Sequence, residues 1–219
     1  MNVLLFGATG MVGQGVLREC LLDPGVDRVL AVGRSSTRQT ASKLREVVVP
    51  DVANLAGIEG ELAGFDACFF CLGVSSIGMR QERYTSLTHD LTLAVARMVA
   101  RSSPAVTFVY VSGAGTDSSE QGRSMWARVK GKTENDLLRL PFKAAYMFRP
   151  GAILPLHGVR SKTRWVRLLY TLAAPIGPTW RALFPNTITT TEQVGRAMLR
   201  VVRDGYATRI LETRDINRL

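Results

Sequence analysis

The sequence predicts a doubly wound parallel α/β sheet followed by a short C-terminal segment, and three observations carry that prediction. Short, wholly apolar runs recur along the first 150 residues and alternate with stretches of helical apolar spacing, the pattern of a parallel sheet covered by helices on both faces. The first run is closed by a glycine-rich loop that opens a helix. The chain has 219 residues, 46% of them hydrophobic, which is enough for one full core and excludes a disordered, collagen-like or disulfide-stapled chain.

Taken in order, Val3 to Phe6 reads as a strand closed by Gly7, and Met11 to Leu22 as a helix that stops at Asp23-Pro24-Gly25. Arg28 to Gly33, Val47 to Val49 and Ala67 to Leu72 supply three more strands, each an apolar run of the kind buried on both faces. Thr85 to Arg101 has the spacing of a long helix, Ala105 to Val111 of a fifth strand, Ser124 to Leu140 of another helix, and Ala144 to Phe148 of a sixth strand. Right-handed crossovers then arrange these units as one sheet. The rhythm changes after Arg149-Pro150-Gly151, where Pro155, Pro175, Pro178 and Pro185 punctuate a basic segment; a final helix, Glu192 to Arg203, leads to an edge strand near Arg209 to Glu212. The organisation expected is a core over residues 1–150 with a smaller unit, 151–219, packed on it.

The net charge of +10 is unevenly placed. Residues 1–148 carry 16 Lys and Arg against 14 Asp and Glu, whereas residues 149–219 carry 12 against 4, and no acid occurs between Asp136 and Glu192. Such a local surplus concentrates anions, and with 23 Arg to 5 Lys it favours planar, bidentate contacts. Solvated arginines are the plainer alternative. The three cysteines are too few to staple a core of this size and point to a reducing compartment. Cys68 and Cys71 form a C-x-x-C spacing inside an apolar strand, where side chains three apart face opposite ways, so neither a disulfide nor a metal site is expected from them. The N-terminus lacks a basic leader and no run reaches the roughly 18 apolar residues of a membrane span, so the location expected is cytoplasmic.

Gly7-Ala8-Thr9-Gly10-Met11-Val12-Gly13 lies between strand and helix, where glycines let the backbone approach a pyrophosphate and the helix N-terminus offers free N–H groups. This points to a dinucleotide held by Gly7, Thr9, Gly10, Met11, Val12 and Gly13. The second strand ends Gly33-Arg34-Ser35-Ser36, with Arg38 close behind and no carboxylate until Glu46. An acid at the strand end would hold a ribose 2′-hydroxyl and repel a 2′-phosphate; Arg34 can fork onto that phosphate instead, so NADP(H) is expected, with NAD as second choice. Arg34 stacked on adenine or turned to solvent is the alternative. Asp51 and Val52 follow the third strand; the Asp51 carboxylate is open to two uses, the adenine amino group or the cap of a short helix.

The loop GATGMVG, the strand ends VGR, PDV and CLG, the helix YTSLTHDLTLAVARMVA, the segment VYVSGAG, Lys130 within WARVKGKTE and the later RPG together resemble the short-chain dehydrogenase/reductase superfamily, chiefly its extended and atypical branches: the NAD(P)-dependent epimerase/dehydratase and NmrA-like groups. The resemblance runs from residue 1 to about Gly151. It implies a Rossmann fold, adds Cys71, Leu72, Gly73 and Lys130 to the cofactor-binding residues, and makes 151–219 a substrate-side or lid segment. It also implies helix pairing into a homodimer, through Thr85 to Arg101 and Ser124 to Leu140.

In that family a Tyr-x-x-x-Lys pair and a serine after the fifth strand move the proton. Here Lys130 is present, but Trp126 replaces the tyrosine, and an indole N–H donates a hydrogen bond without ionising usefully. By alignment the serine falls on Gly113, leaving Ser112 one position away, on a different face of the strand end. Lys130 and Ser112 are the catalytic candidates that remain, with Lys130 alternatively holding the nicotinamide ribose. The sequence thus supports an NADP(H)-binding protein lacking the usual Tyr/Ser pair, serving as a nucleotide-responsive regulator or scaffold; the alternative is an active NADPH-dependent reductase or epimerase acting on a small, anionic carbonyl compound.

Among other candidates, His89 has the position of a packing residue on a helix, His157 is an acid/base candidate in a loop where histidines are commonly just solvated, and Ser75 and Ser76 are candidates for the nicotinamide pocket. The segment with Arg160, Lys162, Arg164, Trp165, Arg167, Trp180, Arg181 and the apolar stretch Val166 to Ile176 admits three readings: a lid over an anionic substrate, an interfacial helix on an anionic membrane, or a helix packed on the sheet with snorkelling arginines. No groove-reading motif supports nucleic acid as a partner.

Overall fold

The structure, a computed structural model, describes residues 1–159 and 186–219. The basic segment from Arg160 to Arg181, with its two tryptophans and its apolar stretch, lies outside the described residues, and so do its three readings.

Seven strands form one sheet in the order β3-β2-β1-β4-β5-β6-β9, every neighbouring pair parallel. They are β1 (Asn2–Phe6), β2 (Arg28–Gly33), β3 (Leu44–Val48), β4 (Ala67–Phe70), β5 (Thr107–Val111), β6 (Ala144–Arg149) and β9 (Ile210–Glu212). A separate parallel pair joins β7 (Ala152–Leu154) to β8 (Ile188–Thr190). The helices are α1 (Met11–Leu22), α2 (Gln81–Thr85), α3 (Leu91–Ser102), α4 (Met125–Leu138), α5 (Thr191–Asp204) and α6 (Thr213–Arg218). A wide π turn, Ser86–Asp90, joins α2 to α3. The doubly wound fold expected from the sequence is therefore present.

Alternation along the strands divides the core in two. Val3 and Leu5 of β1 point to one face, against Val16 and Leu17 of α1 and Val194 and Met198 of α5; Leu4 and Phe6 point to the other, with Phe70, Phe108, Val95 and Val99. All of these are buried, and each contributes about 1.5–3 kcal/mol by leaving water. Helices α1 and α5 cross with their backbones almost touching. A Cβ on Gly15 would come within 2.5 Å of the Thr191 Cβ, and one on Gly195 within 2.8 Å of the Glu19 Cγ. That approach lets the C-terminal segment return to the sheet, where β9 extends it beside β6. Cys68 joins the second face and Cys71 packs against the first, as their spacing implied.

Two boundaries differ from expectation by three residues or more, for physical reasons. Strand β3 starts at Leu44, three residues early, because an edge strand exposed to water carries polar Arg45 and Glu46 and does not read as an apolar run. The long helix starts at Gln81 because its first turns are polar apart from the buried Tyr84. Among the described residues no helix is long and apolar enough to cross a membrane.

Candidate functional site

The chain leaves β1 for β2 on one side and reaches β4 on the other, so the C-terminal ends of β1 and β4 open a crevice at the point where strand order reverses. The glycine loop fills its floor. Gly7 has φ +86°, the left-handed region that favours glycine, and its carbonyl accepts the N–H of Gly10 at 2.9 Å. A Cβ on Gly7 would sit 2.7 Å from the Cys71 carbonyl carbon, and one on Gly13 only 2.0 Å from the Gly7 oxygen. The loop is thereby clamped between β4 and α1. Gly10 caps α1 without a side chain, no acid occupies the helix's first turn, and Met11 and Val12 begin it, so the N–H groups and the positive helix end face outward. Thr9 is tied in place by Gln14, whose side-chain amide donates to the Thr9 oxygen at 3.1 Å. This cradle fits a pyrophosphate.

Beside it lies a cleft of about 250 Å³ whose walls include Gly7, Thr9, Arg34, Ser35, Val52 and Leu72. Arg34 is exposed and makes no hydrogen bond or ion pair among the described residues, so its guanidinium is available to an anion. Val52 lines the cleft, whereas Asp51 is exposed and accepts the Ala53 N–H at 2.9 Å, closing a local turn. Leu72 lines the cleft, Cys71 donates its N–H to the Phe6 oxygen at 2.9 Å, and Gly73 is exposed. Burial pushes the Cys71 thiol up to about 12, which leaves it unreactive at neutral pH. Among the cleft residues that sequence reasoning missed, Glu46 is the one with a charge. It reaches the site because β3 pairs with β2 in the register Ala31↔Glu46, fifteen positions apart in sequence.

The far half of the site is built on β5 and α4. Ser112 is buried, and its hydroxyl donates to Glu134 Oε1 at 2.5 Å with the Phe148 oxygen at 3.1 Å. Glu134 is fully buried and takes Arg149 as partner, through Nη2 at 2.5 Å and Nε at 3.1 Å and 3.2 Å. Gly113 follows with φ +144° and has no hydroxyl. Trp126 lies over the next loop, where a Cβ on Gly115 would meet its ring at 3.5 Å. The Lys130 ammonium donates to the Ser112 carbonyl oxygen. Burial lowers the Lys130 amine from 10.5 to about 8, an effect that the nearby Glu134 carboxylate only partly offsets.

The sign of this shift gives a measurable outcome. Between about pH 8 and pH 10.5 Lys130 is neutral in the folded chain and protonated in the unfolded one, so the unfolded state binds more protons and this group's contribution to stability rises with pH. Subtracting the denaturation curve of Lys130→Met from that of the wild type isolates the group from the cysteines, which act oppositely. The difference should tilt toward the wild type across that window; a flat difference would mean that the amine titrates normally.

The two histidines part company with this site. His89 bridges Asp90 Oδ1 at 2.7 Å and Asp136 Oδ2 at 2.8 Å, tying the π turn to α4, which is a packing role. His157 meets Glu192 Oε2 at 2.5 Å at the start of α5, beside α1 residues Gln14 and Arg18. It shares no contact with Lys130 or Ser112. Ser75 and Ser76 lie on the exposed loop after β4, where the Ser75 hydroxyl accepts the Ile77 N–H at 3.3 Å.

Comparison with known proteins places these features in a family. Residues 7–139 match the model of a family described as NAD(P)H-binding. The chain is 30% identical over 170 residues to "Protein fmp52, mitochondrial" of Emericella nidulans, covering 74% of this chain and 70% of that one. Among solved structures it resembles dTDP-glucose 4,6-dehydratase DesIV of Streptomyces venezuelae with NAD and TYD bound, with TM-score 0.68, 16% identity, and 99% and 79% of the two chains covered. It also resembles a short chain dehydrogenase family protein of Francisella tularensis, with TM-score 0.63, 15% identity, and 93% and 91% covered. The expected cytoplasmic location is corrected by the relatives. The Emericella protein and its counterparts in Kluyveromyces lactis (31% identical, 70% of this chain and 68% of that one) and Saccharomyces cerevisiae (29%, 81% and 75%) are all named mitochondrial. Cysteine usage does not distinguish one reducing compartment from another.

Proposed function

This chain belongs to a family of NAD(P)H-binding proteins, and from that membership we propose that it is a member of the short-chain dehydrogenase/reductase superfamily that binds NADP(H) without carrying out that superfamily's usual carbonyl reduction. One observation carries the proposal: the groups that should move a proton are absent or engaged. Trp126 stands where the tyrosine would, Gly113 where the serine would, and the Ser112 hydroxyl is turned inward to Glu134. The glycine loop and the helix end hold the pyrophosphate, Arg34 takes the 2′-phosphate, Val52 and Leu72 cover the adenosine, and Lys130 holds the nicotinamide ribose. Residues 1–150 form the dinucleotide unit and 151–219 the substrate side. A protein of this kind reports the state of the nucleotide pool to a partner.

A second reading, an active NADPH-dependent reductase or epimerase on a small anionic carbonyl compound, is favoured by Lys130. An amine held near 8 exchanges protons at physiological pH. When bound, the dinucleotide supplies a hydride to the carbonyl carbon, and the Lys130 ammonium would then give its proton to the carbonyl oxygen.

Titration with NADPH and NADH followed by a carbonyl panel separates the readings. Wild type should bind NADPH more tightly and oxidise it with no carbonyl compound, and the double change Gly113→Ser, Trp126→Tyr should raise turnover at least 100-fold above that background, the scale of a positioned general acid. Turnover by wild type would establish the second reading, and failure to bind either dinucleotide would overturn both.

A further inference from the structure

Glu46 lines the adenosine cleft together with Arg34, and a carboxylate there ought to repel a 2′-phosphate. Its surroundings show a different use. Oε1 accepts the Thr37 N–H at 2.7 Å and Oε2 accepts the Ser36 hydroxyl at 2.7 Å. The Ser36 oxygen in turn accepts the Arg38 N–H at 3.0 Å, at a residue held at φ +61°. Both oxygens of the acid are thus committed to one short stretch of chain, the stretch that follows Arg34. No ion pair joins Glu46 to Arg34 among the described residues, so the guanidinium stays unpartnered although an acid lines the same cleft.

We infer that Glu46 is a positioning residue for dinucleotide preference: by fixing Ser36 and Thr37 from the neighbouring strand it holds Arg34 and Ser35 open toward a 2′-phosphate. The inference rests on the NADP(H) reading above and deepens it. Three features support it. The bonds cross from β3 to the loop after β2, so they fix that loop against the sheet and not merely against itself. The hydrogen bonds satisfy the carboxylate and hold its pKa below the usual carboxylate range despite partial burial, so it remains an anion that cannot donate to a phosphate and has little left to offer a ribose hydroxyl. The Ser36 hydroxyl donates to Glu46, and the Thr37, Arg38 and Gln39 N–H groups are engaged within the loop, which leaves the Arg34 guanidinium and the Ser35 hydroxyl as the side-chain donors of this stretch that line the cleft.

The opposite role makes the opposite prediction: were Glu46 the acid that grips the ribose 2′-hydroxyl, its removal would improve NADPH binding. Affinities for NADPH and NADH decide between the two, measured by fluorescence titration on wild type, Glu46→Ala, Glu46→Gln, Arg34→Ala and the double change Arg34→Ala, Glu46→Ala. Glu46→Ala should weaken NADPH about tenfold, the scale of a lost charge-assisted hydrogen bond pair, and leave NADH within about twofold. Glu46→Gln keeps an acceptor for the Thr37 N–H and should fall between alanine and wild type. Once Arg34→Ala has removed the phosphate's main partner, adding Glu46→Ala should change NADPH binding little, since both act through one contact. Unchanged NADH affinity shows in the same experiment that the variants are folded. Equal losses for both dinucleotides, or a gain for NADPH, would overturn the role of Glu46 while leaving the NADP(H) reading intact; a wild type that prefers NADH would remove both.

Discussion

Replacing Glu134 by alanine should destabilise the protein by about 3–5 kcal/mol, the cost of stranding the other member of a buried ion pair. For a chain of this length that is a fall of roughly 6–20 °C in the thermal midpoint. Glu134 is fully buried, and the Arg149 side chain is only 11% exposed. Removing the carboxylate leaves that guanidinium with Glu212 Oε1 at 3.4 Å and the Ser118 hydroxyl at 2.5 Å as its remaining partners, and deprives the Ser112 hydroxyl of its shorter acceptor. The pair also joins α4 to the ends of β5 and β6, where the catalytic machinery of the family would stand. Replacing both members with apolar residues, Glu134→Leu with Arg149→Met, should recover most of the loss, because the larger part of it is an unpaired charge and not a missing attraction. Calorimetry on the single and double changes tests this. A Glu134→Ala midpoint within a degree or two of wild type would show that the carboxylate carries none of this weight. Glu134→Gln should also lower the Lys130 amine further, since the carboxylate one helical turn away is what now raises it.

That pair marks the boundary of what the sequence reveals. Strands β1, β2, β4, β5 and β6 are apolar runs buried on both faces, and local composition is enough to find them. The glycine loop is equally local, since its seven residues contain the turn, the close approach and the helix start. Glu134 is legible as part of WARVKGKTE but not as a buried charge, because Arg149 lies fifteen residues away and the two meet only when β6 is laid beside β5. Glu46 hides for the same reason: it stands beside the cleft by strand register, in an edge strand whose polar residues disguise it as a loop. The short pair β7 and β8 and the final helix α6 carry too few residues to show a period. What reads well from sequence is contained within one turn or one strand; what reads poorly is built by pairing.

The glycine loop offers the sharpest separation of binding from folding. Gly10→Ala should lower NADPH affinity about 100-fold while the thermal midpoint moves little, because glycine at this place lets the backbone approach the pyrophosphate closely. The backbone there is extended, at φ −80° and ψ 165°, which alanine adopts freely, and its Cβ would meet only the Gly7 oxygen, at 3.3 Å, a tight contact that a small shift of the loop relieves. The methyl group would add bulk at the residue that caps α1, next to the N–H groups that a phosphate must reach. Gly13→Ala should fail in a different way. Its Cβ would lie 2.0 Å from the Gly7 oxygen and 2.6 Å from the Gly7 carbon, both backbone atoms, so α1 must withdraw from the loop. Overpacking of that kind costs roughly 1–3 kcal/mol or more, so this variant should lose stability and NADPH binding together. The contrast identifies the mechanism more firmly than either change alone. Weak binding in both variants with an unaltered midpoint only in Gly10→Ala places the pyrophosphate on the loop itself. Wild-type affinity in a folded Gly10→Ala protein would place it elsewhere and leave the glycines as no more than the packing device that brings α1 onto the sheet.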